Sequence, residues 1–134
     1  VAVFSWTTKD GKPVVAIGHV KDYKGFRDRR SFPWFLHIQV EMRTVTENGL
    51  PDGNESEELE AFQEVIFGRL AEVTTAHVLG RATGEGYRQI YAYLREAVAA
   101  DAVLSIVARD APAREFRFSI RKDPDWKYVA WMGL

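Results

Sequence analysis

Between residues 34 and 43 apolar side chains alternate with polar ones: Trp34, Leu36, Ile38, Val40 and Met42 against His37, Gln39, Glu41 and Arg43. A period of two predicts a half-buried strand with one face on a core and one toward water. Pro33 opens this strand, and it is expected to run from Trp34 to Val45. The alternation returns over 115–122, where Phe116, Phe118 and Ile120 interleave with Arg117, Ser119 and Arg121. Between these strands the period lengthens. Leu59, Phe62, Ile66, Leu70 and Val73 recur every three or four residues, the spacing of one helix face. Ala97, Ala100, Leu104 and Val107 do the same in a second helix from about Arg95 to Arg109, a region that Pro112 ends. Asn54 or Ser56 is expected to cap the first helix. The acidic Glu55, Glu57 and Glu58 then suit the positive end of its dipole better than a metal.

The remaining segments are short. Residues 2–8 and 13–20 are β-rich and flank Lys9-Asp10-Gly11-Lys12, which predicts an N-terminal hairpin. Asp22 to Arg30 reads as a charged loop whose Arg27, Arg29 and Arg30 sit in a solvated turn, and Thr46 to Asn54 as a connection broken by Gly49, Pro51 and Gly53. Thr75 to Ala82 is a strand that Thr83-Gly84-Glu85-Gly86 turns back into a second, Tyr87 to Leu94. Asp123-Pro124 starts a terminal helix containing Trp126, Tyr128 and Trp131. From Trp34 onward the order is βαββαβ. It predicts an α+β fold, a ferredoxin-like two-layer sandwich with an added N-terminal β-hairpin and a short C-terminal helix, in a single domain over 1–134.

Strand parity then divides the polar residues between two sheet faces. With the apolar alternates against the helices, the other face carries Phe35, His37, Gln39, Glu41 and Arg43, then His77, Leu79 and Arg81, then Tyr87, Gln89, Tyr91 and Tyr93, then Arg117, Ser119 and Arg121. That face is aromatic and, on balance, basic. Its candidate binding residues are Arg81, Tyr87, Tyr91, Tyr93, His37, His77 and Arg117, since Tyr and Arg dominate interface energetics. The competing expectation is that the same rings pack under the hairpin or the terminal helix. Arg81 and Arg88 fall on opposite faces of regular strands, so an anion clamp made of both requires a bulge.

Totals narrow the function classes. The chain has 134 residues, 46% hydrophobic and 13% aromatic, enough to bury about two-thirds of its unfolded surface. It has no cysteine, so no disulfide, thiol nucleophile or Cys-rich zinc site is expected. No apolar run approaches a membrane span, which points to a soluble, cytoplasmic protein, although a start at Val1 rather than methionine leaves an export signal open. RNA-recognition folds share the βαββαβ order and stack bases on strand aromatics. Here Gln89 and Ala92 stand where such rings belong, and the net charge is −1, so nucleic acid is disfavoured. An enzyme would have to use His37 or His77 with Glu41, but no nucleophile motif, phosphate loop or metal-ligand spacing accompanies them. The expectation is a protein without cofactor or metal, binding a protein partner or a second copy of itself through the aromatic face. The alternative is a homodimerising domain with a small-ligand or single-stranded RNA site there.

Val78-Leu-Gly-Arg81-Ala-Thr83, Gly86-Tyr-Arg88-Gln-Ile-Tyr91-Ala-Tyr93 and the closing Asp123-Pro-Asp-Trp126-Lys-Tyr128 together resemble a bacterial family known as domain of unknown function, family 695. The resemblance covers most of the chain and is weaker over the N-terminal hairpin. It implies no activity. In layout the chain is similar to the regulator of ribonuclease activity B family, which works by binding an enzyme, and this likeness implies a binding role.

Overall fold

The computed structural model describes residues 1–110 and 114–134, so the expectation placed on Pro112 lies outside the described residues. The fold is α+β. Its sheet has six strands, β1 (Ala2–Thr7), β2 (Pro13–Gly18), β3 (Trp34–Glu41), β4 (Ala76–Gly84), β5 (Tyr87–Leu94) and β6 (Phe116–Lys122). They are antiparallel throughout, in the order β1-β2-β4-β5-β3-β6. The helices are a short α1 (Val20–Tyr23), α2 (Gly53–Ala71) and α3 (Val98–Asp110), and the chain closes with a 3-10 turn over Lys127–Met132. The strand order places β5 between the two strands that α2 connects, and β3 between the two that α3 connects.

Local chemistry explains most boundaries. The β1–β2 hairpin closes through Gly11 N–H donating to Thr8 O at 2.9 Å, with Gly11 at φ +77°, which only glycine adopts cheaply. β3 stops at Glu41, short of the predicted Val45, because Val45 bridges Pro51 in the loop that follows. The turn between β4 and β5 is the two residues Glu85 and Gly86, both at positive φ, while Thr83 and Gly84 remain in the strand. α2 is capped by Asp52, whose side chain accepts from Glu55 N–H at 2.8 Å, not by Asn54 or Ser56. α3 begins at Val98, later than Arg95.

Leu59, Phe62, Ile66 and Leu70 of α2, with Ala100 and Leu104 of α3, pack on Leu36, Ile38, Val40, Ile90, Ala92 and Leu94 to form the main core. Each fully buried large side chain there contributes about 1.5–3 kcal/mol relative to exposure. Glu55 departs from its expected role as dipole decoration. It is 2% exposed and paired with the equally buried Arg114, whose Nη2 lies 2.6 Å from its Oε1. Burial works to raise this carboxyl, but the Arg114 guanidinium and the N–H groups of Thr44 and Arg43 outweigh it and hold it at about 2.

Candidate functional site

A second core lies on the opposite face of the sheet and answers whether the tyrosines are roofed. The N-terminal hairpin does not cover them, since β2 pairs with β4 and extends the sheet in its own plane. The roof is the segment from α1 to Phe32, together with the C-terminal 3-10 turn. Phe32, Phe35, Leu79, Tyr93, Trp126, Val129 and Met132 are buried there, with Tyr23 and Phe26 against them. The stretch 22–30 is thus more than a solvated loop: Tyr23 and Phe26 flank His77 and Trp126, Arg29 lies over the Trp126 ring at 5.4 Å, and Arg30 pairs with Asp125.

Two candidate binding residues are consumed by this roof. Tyr93 has no exposure, stacks on Trp126 at 4.4 Å, and donates its hydroxyl proton to Asp123 Oδ2 at 2.6 Å. Burial first, and then the Asp123 carboxylate, push its phenol far above the usual range. Asp123 also accepts from the N–H groups of Lys127 and Tyr128, both at 3.0 Å, and so ties the terminal turn to β5. His77 is ringed by Tyr23, Phe26 and Phe32, with its Nδ1 hydrogen-bonded to the Tyr23 hydroxyl at 3.1 Å. Burial, and to a lesser degree Arg95, lower its pKa, so it is a neutral packing residue near pH 7.

Arg81 is not on the tyrosine face at all. The β4–β5 register slips between Val78 and Gly80, so Leu79 is the extra residue of a bulge. Leu79 and Gly80 both lie on the tyrosine side, parity inverts beyond them, and Arg81 pairs with Ile90 on the helix side. There it contacts Glu60 of α2. The bulge thus places Arg81 and Arg88 on one face, as an anion clamp would need, but Arg88 is 4% exposed and its Nε donates to Thr83 Oγ1 at 3.0 Å. Among the described residues its Nη1 has no hydrogen-bond partner, and it lies 3.8 Å from Glu60 Oε1. Burial, then Arg81, lower the Arg88 pKa to about 10. These guanidiniums face a carboxylate that the fold itself supplies, the half-exposed Glu60.

What stays open is the half of the face farther from α1. Cross-strand pairing puts Tyr91, His37 and Ser119 in one row and Gln89, Gln39 and Arg117 in the next, followed by Tyr87 opposite Glu41. Four of the seven candidates, His37, Tyr87, Tyr91 and Arg117, therefore share this surface. Gln89 Nε2 donates to Gln39 Oε1 at 3.2 Å, which turns its Oε1 toward His37. Because that oxygen only accepts, His37 carries its proton on Nε2 and keeps a lone pair on Nδ1. Burial lowers the His37 pKa, the Gln89 hydrogen bond opposes this, and Arg121 adds to the lowering, so the imidazole is neutral near pH 7.

Sequence reasoning missed the residues that border this surface. Trp131 of the terminal turn meets Phe4, Trp6 and Tyr91 edge to face at 5.7, 6.0 and 5.8 Å, and Tyr128 stacks on Phe35 at 4.9 Å. Tyr128 and Trp131 are three apart, so a 3-10 turn presents both on one side. That spacing was the available signal; which sheet face the turn would meet was not. Among the described residues no three His, Asp or Glu side chains converge as metal ligands, and no helix is long and apolar enough to cross a membrane. A cavity of about 510 Å³ between α2 and α3 is lined by Phe62, Val65, Arg69, Ile106, Asp110 and Arg114.

A family model described as "Family of unknown function (DUF695)" matches residues 7–130. No curated protein and no solved structure matches the chain.

Proposed function

This chain belongs to the family of unknown function DUF695, and because membership carries no activity, we propose from the geometry that it is a non-enzymatic interaction or regulatory module binding a protein partner through the open half of its sheet face. One observation carries the proposal. Trp6, Tyr87, Tyr128 and Trp131 are 45%, 38%, 45% and 44% exposed, and all four stand on the same side of the sheet. Large rings gathered on one surface usually mark a partner site, and Trp and Tyr are the residues that most often anchor one. Arg117 and Arg121, on the same side of β6, supply the polar rim. Tyr93, His77 and Arg81 play no direct part.

The same proposal contains two finer readings. We read β6-β3-β5-β4 with α2 and α3 as a ferredoxin-like layer to which the hairpin adds two strands; the two enclosing βαβ crossovers support this. Regulation by binding an enzyme, as the likeness to the regulator of ribonuclease activity B family implies, is the mode we propose for this surface.

The test compares the proteins retained by the wild type with those retained by Trp6→Ser/Trp131→Ser and by Arg81→Ala, each hit then rebuilt from purified components. A partner that binds wild type and Arg81→Ala but not the tryptophan variant supports the proposal. Equal binding by all three overturns it. If sedimentation shows a wild-type dimer that Trp131→Glu dissolves, the partner is a second copy of the chain.

A further inference from the structure

We propose that a pocket at the junction of β3, β6 and the terminal 3-10 turn binds a small planar aromatic monocarboxylate. The inference goes beyond the partner surface above because it concerns a different class of ligand, held in a concavity that shares Tyr128 and Arg121 with that surface. The pocket has a volume of about 290 Å³ and is lined by Phe35, His37, Tyr91, Ser119, Arg121 and Tyr128. This is at the small end of ligand pockets, which admits a ligand of one or two rings.

Its walls select for flat rings. Phe35 is within 8° of parallel to His37 and within 12° of Tyr91, and Tyr128 continues the stack from the roof side at 22° to Phe35. A planar ligand extends an alignment that the protein has already established, and aromatic pairs in such offset geometry gain energy beyond the area they bury. The burial-lowered pKa of His37 leaves this floor uncharged near pH 7.

The charge sets the other half of the ligand. Arg121 is exposed, is the single charged lining residue, and forms no ion pair among the described residues. The nearby Asp123 is buried and spent on Tyr93, Lys127 and Tyr128. A lone guanidinium matches a carboxylate in charge and in its bidentate geometry. A phosphate dianion calls for a second cation, but Arg117 lies four residues along β6, roughly 13 Å away at about 3.3 Å per residue. Ser119, between the two arginines on the same side of the strand, adds a hydroxyl donor beside the carboxylate position.

The experiment is a titration of the intact chain with 1-naphthoate, followed by amide chemical shifts, with 1-naphthalenemethanol as the uncharged analogue and phenyl phosphate as the dianion. The expected result is saturable binding with shifts centred on His37, Ser119 and Tyr128, weakened about tenfold or more by Arg121→Ala and within about twofold by Arg117→Ala. The alcohol should bind about tenfold more weakly than the acid. Absence of saturation at millimolar acid, undiminished binding by Arg121→Ala, or tighter binding of phenyl phosphate overturns the proposal. The six lining residues are not substituted in the tryptophan variant of the partner test, and Arg121→Ala is not among the variants of that test, so the two proposals are read on different substitutions.

Discussion

Asp123 is the point at which the terminal turn, and with it Tyr128 and Trp131, is fastened to the sheet, so its removal gives the most informative perturbation. The carboxylate is 5% exposed and accepts three hydrogen bonds, from the Tyr93 hydroxyl at 2.6 Å and from the Lys127 and Tyr128 N–H groups at 3.0 Å each. A hydrogen bond to a charged acceptor is worth about 1.5–3 kcal/mol, but the three losses will not add in full because the two N–H donors are near the surface and regain water. The Tyr93 hydroxyl is buried, and after Asp123→Ala it is left without an acceptor. The expected cost is about 3–5 kcal/mol, a large share of the 5–15 kcal/mol that stabilises a typical domain. Tyr93→Phe alone should cost about 1–2 kcal/mol, since Asp123 keeps both N–H donors, and the double variant should show a coupling of about 1–2 kcal/mol. Urea denaturation at pH 7 followed by tryptophan fluorescence measures all four corners of the cycle. The sign of the pH effect is defined as well. Burial works to raise the Asp123 pKa, but the Tyr128 N–H, the Tyr93 hydroxyl and the Lys127 N–H hold it below the ordinary carboxylate value. Its contribution is therefore present above that value and lost as pH falls through the folded-state pKa, so the gap between wild type and Asp123→Ala closes in acid. A cost under about 1 kcal/mol, or strict additivity with Tyr93→Phe, would refute the view that this carboxylate holds the roof down.

Two further perturbations probe the fold around the site. Glu55, lowered from the ordinary 4.5 to about 2, contributes roughly 3 kcal/mol that is fully present above pH 4.5 and lost as pH falls toward 2; denaturation midpoints of Glu55→Gln should lack most of that acid dependence, and parallel profiles would count against it. Gly80→Ala would place its Cβ 2.4 Å from Ile17 O and 3.0 Å from Gly18 Cα, both backbone atoms, so β2 and β4 must separate; a loss of about 1–3 kcal/mol is expected in thermal or urea unfolding, and wild-type stability would show that the bulge tolerates a side chain.

Much of the architecture was legible because it depends on short-range periodicity. The alternation in Trp34 to Met42 and Phe116 to Ile120, and the three-and-four spacing of Leu59, Phe62, Ile66 and Leu70, place the same side chains in the main core that the structure places there. The hairpin 2–18 and the strand Tyr87–Leu94 followed from turn residues flanked by β-formers. The candidate site was half legible: His37, Tyr87, Tyr91 and Arg117 share the expected face. Arg81 was misplaced because parity counting assumes a regular strand, and the bulge at Leu79 breaks it. Gly80 inside a strand was the available sign, since such a glycine often marks a bulge or a close backbone approach.

The sequence alone determines which side chains of a regular element point the same way, because that depends on the backbone period of a few residues, and it fails only where the Leu79 bulge interrupts β4. It also marks the turn glycines Gly11 and Gly86, whose positive φ is a local demand, while Gly84 of the same turn motif stays in β4. Only the tertiary structure decides which half of the tyrosine face is covered. That outcome depends on contacts between residues about 30 to 100 positions apart: Tyr93 with Asp123 and Trp126, His77 with Tyr23, and Trp126 Nε1 donating to Phe32 O at 3.0 Å. No local pattern encodes such contacts, since each ring is equally apolar whether it lies beneath a roof or faces a partner. The folded chain spends Tyr93 and His77 on its own interior and leaves Trp6, Tyr87, Tyr128 and Trp131 exposed.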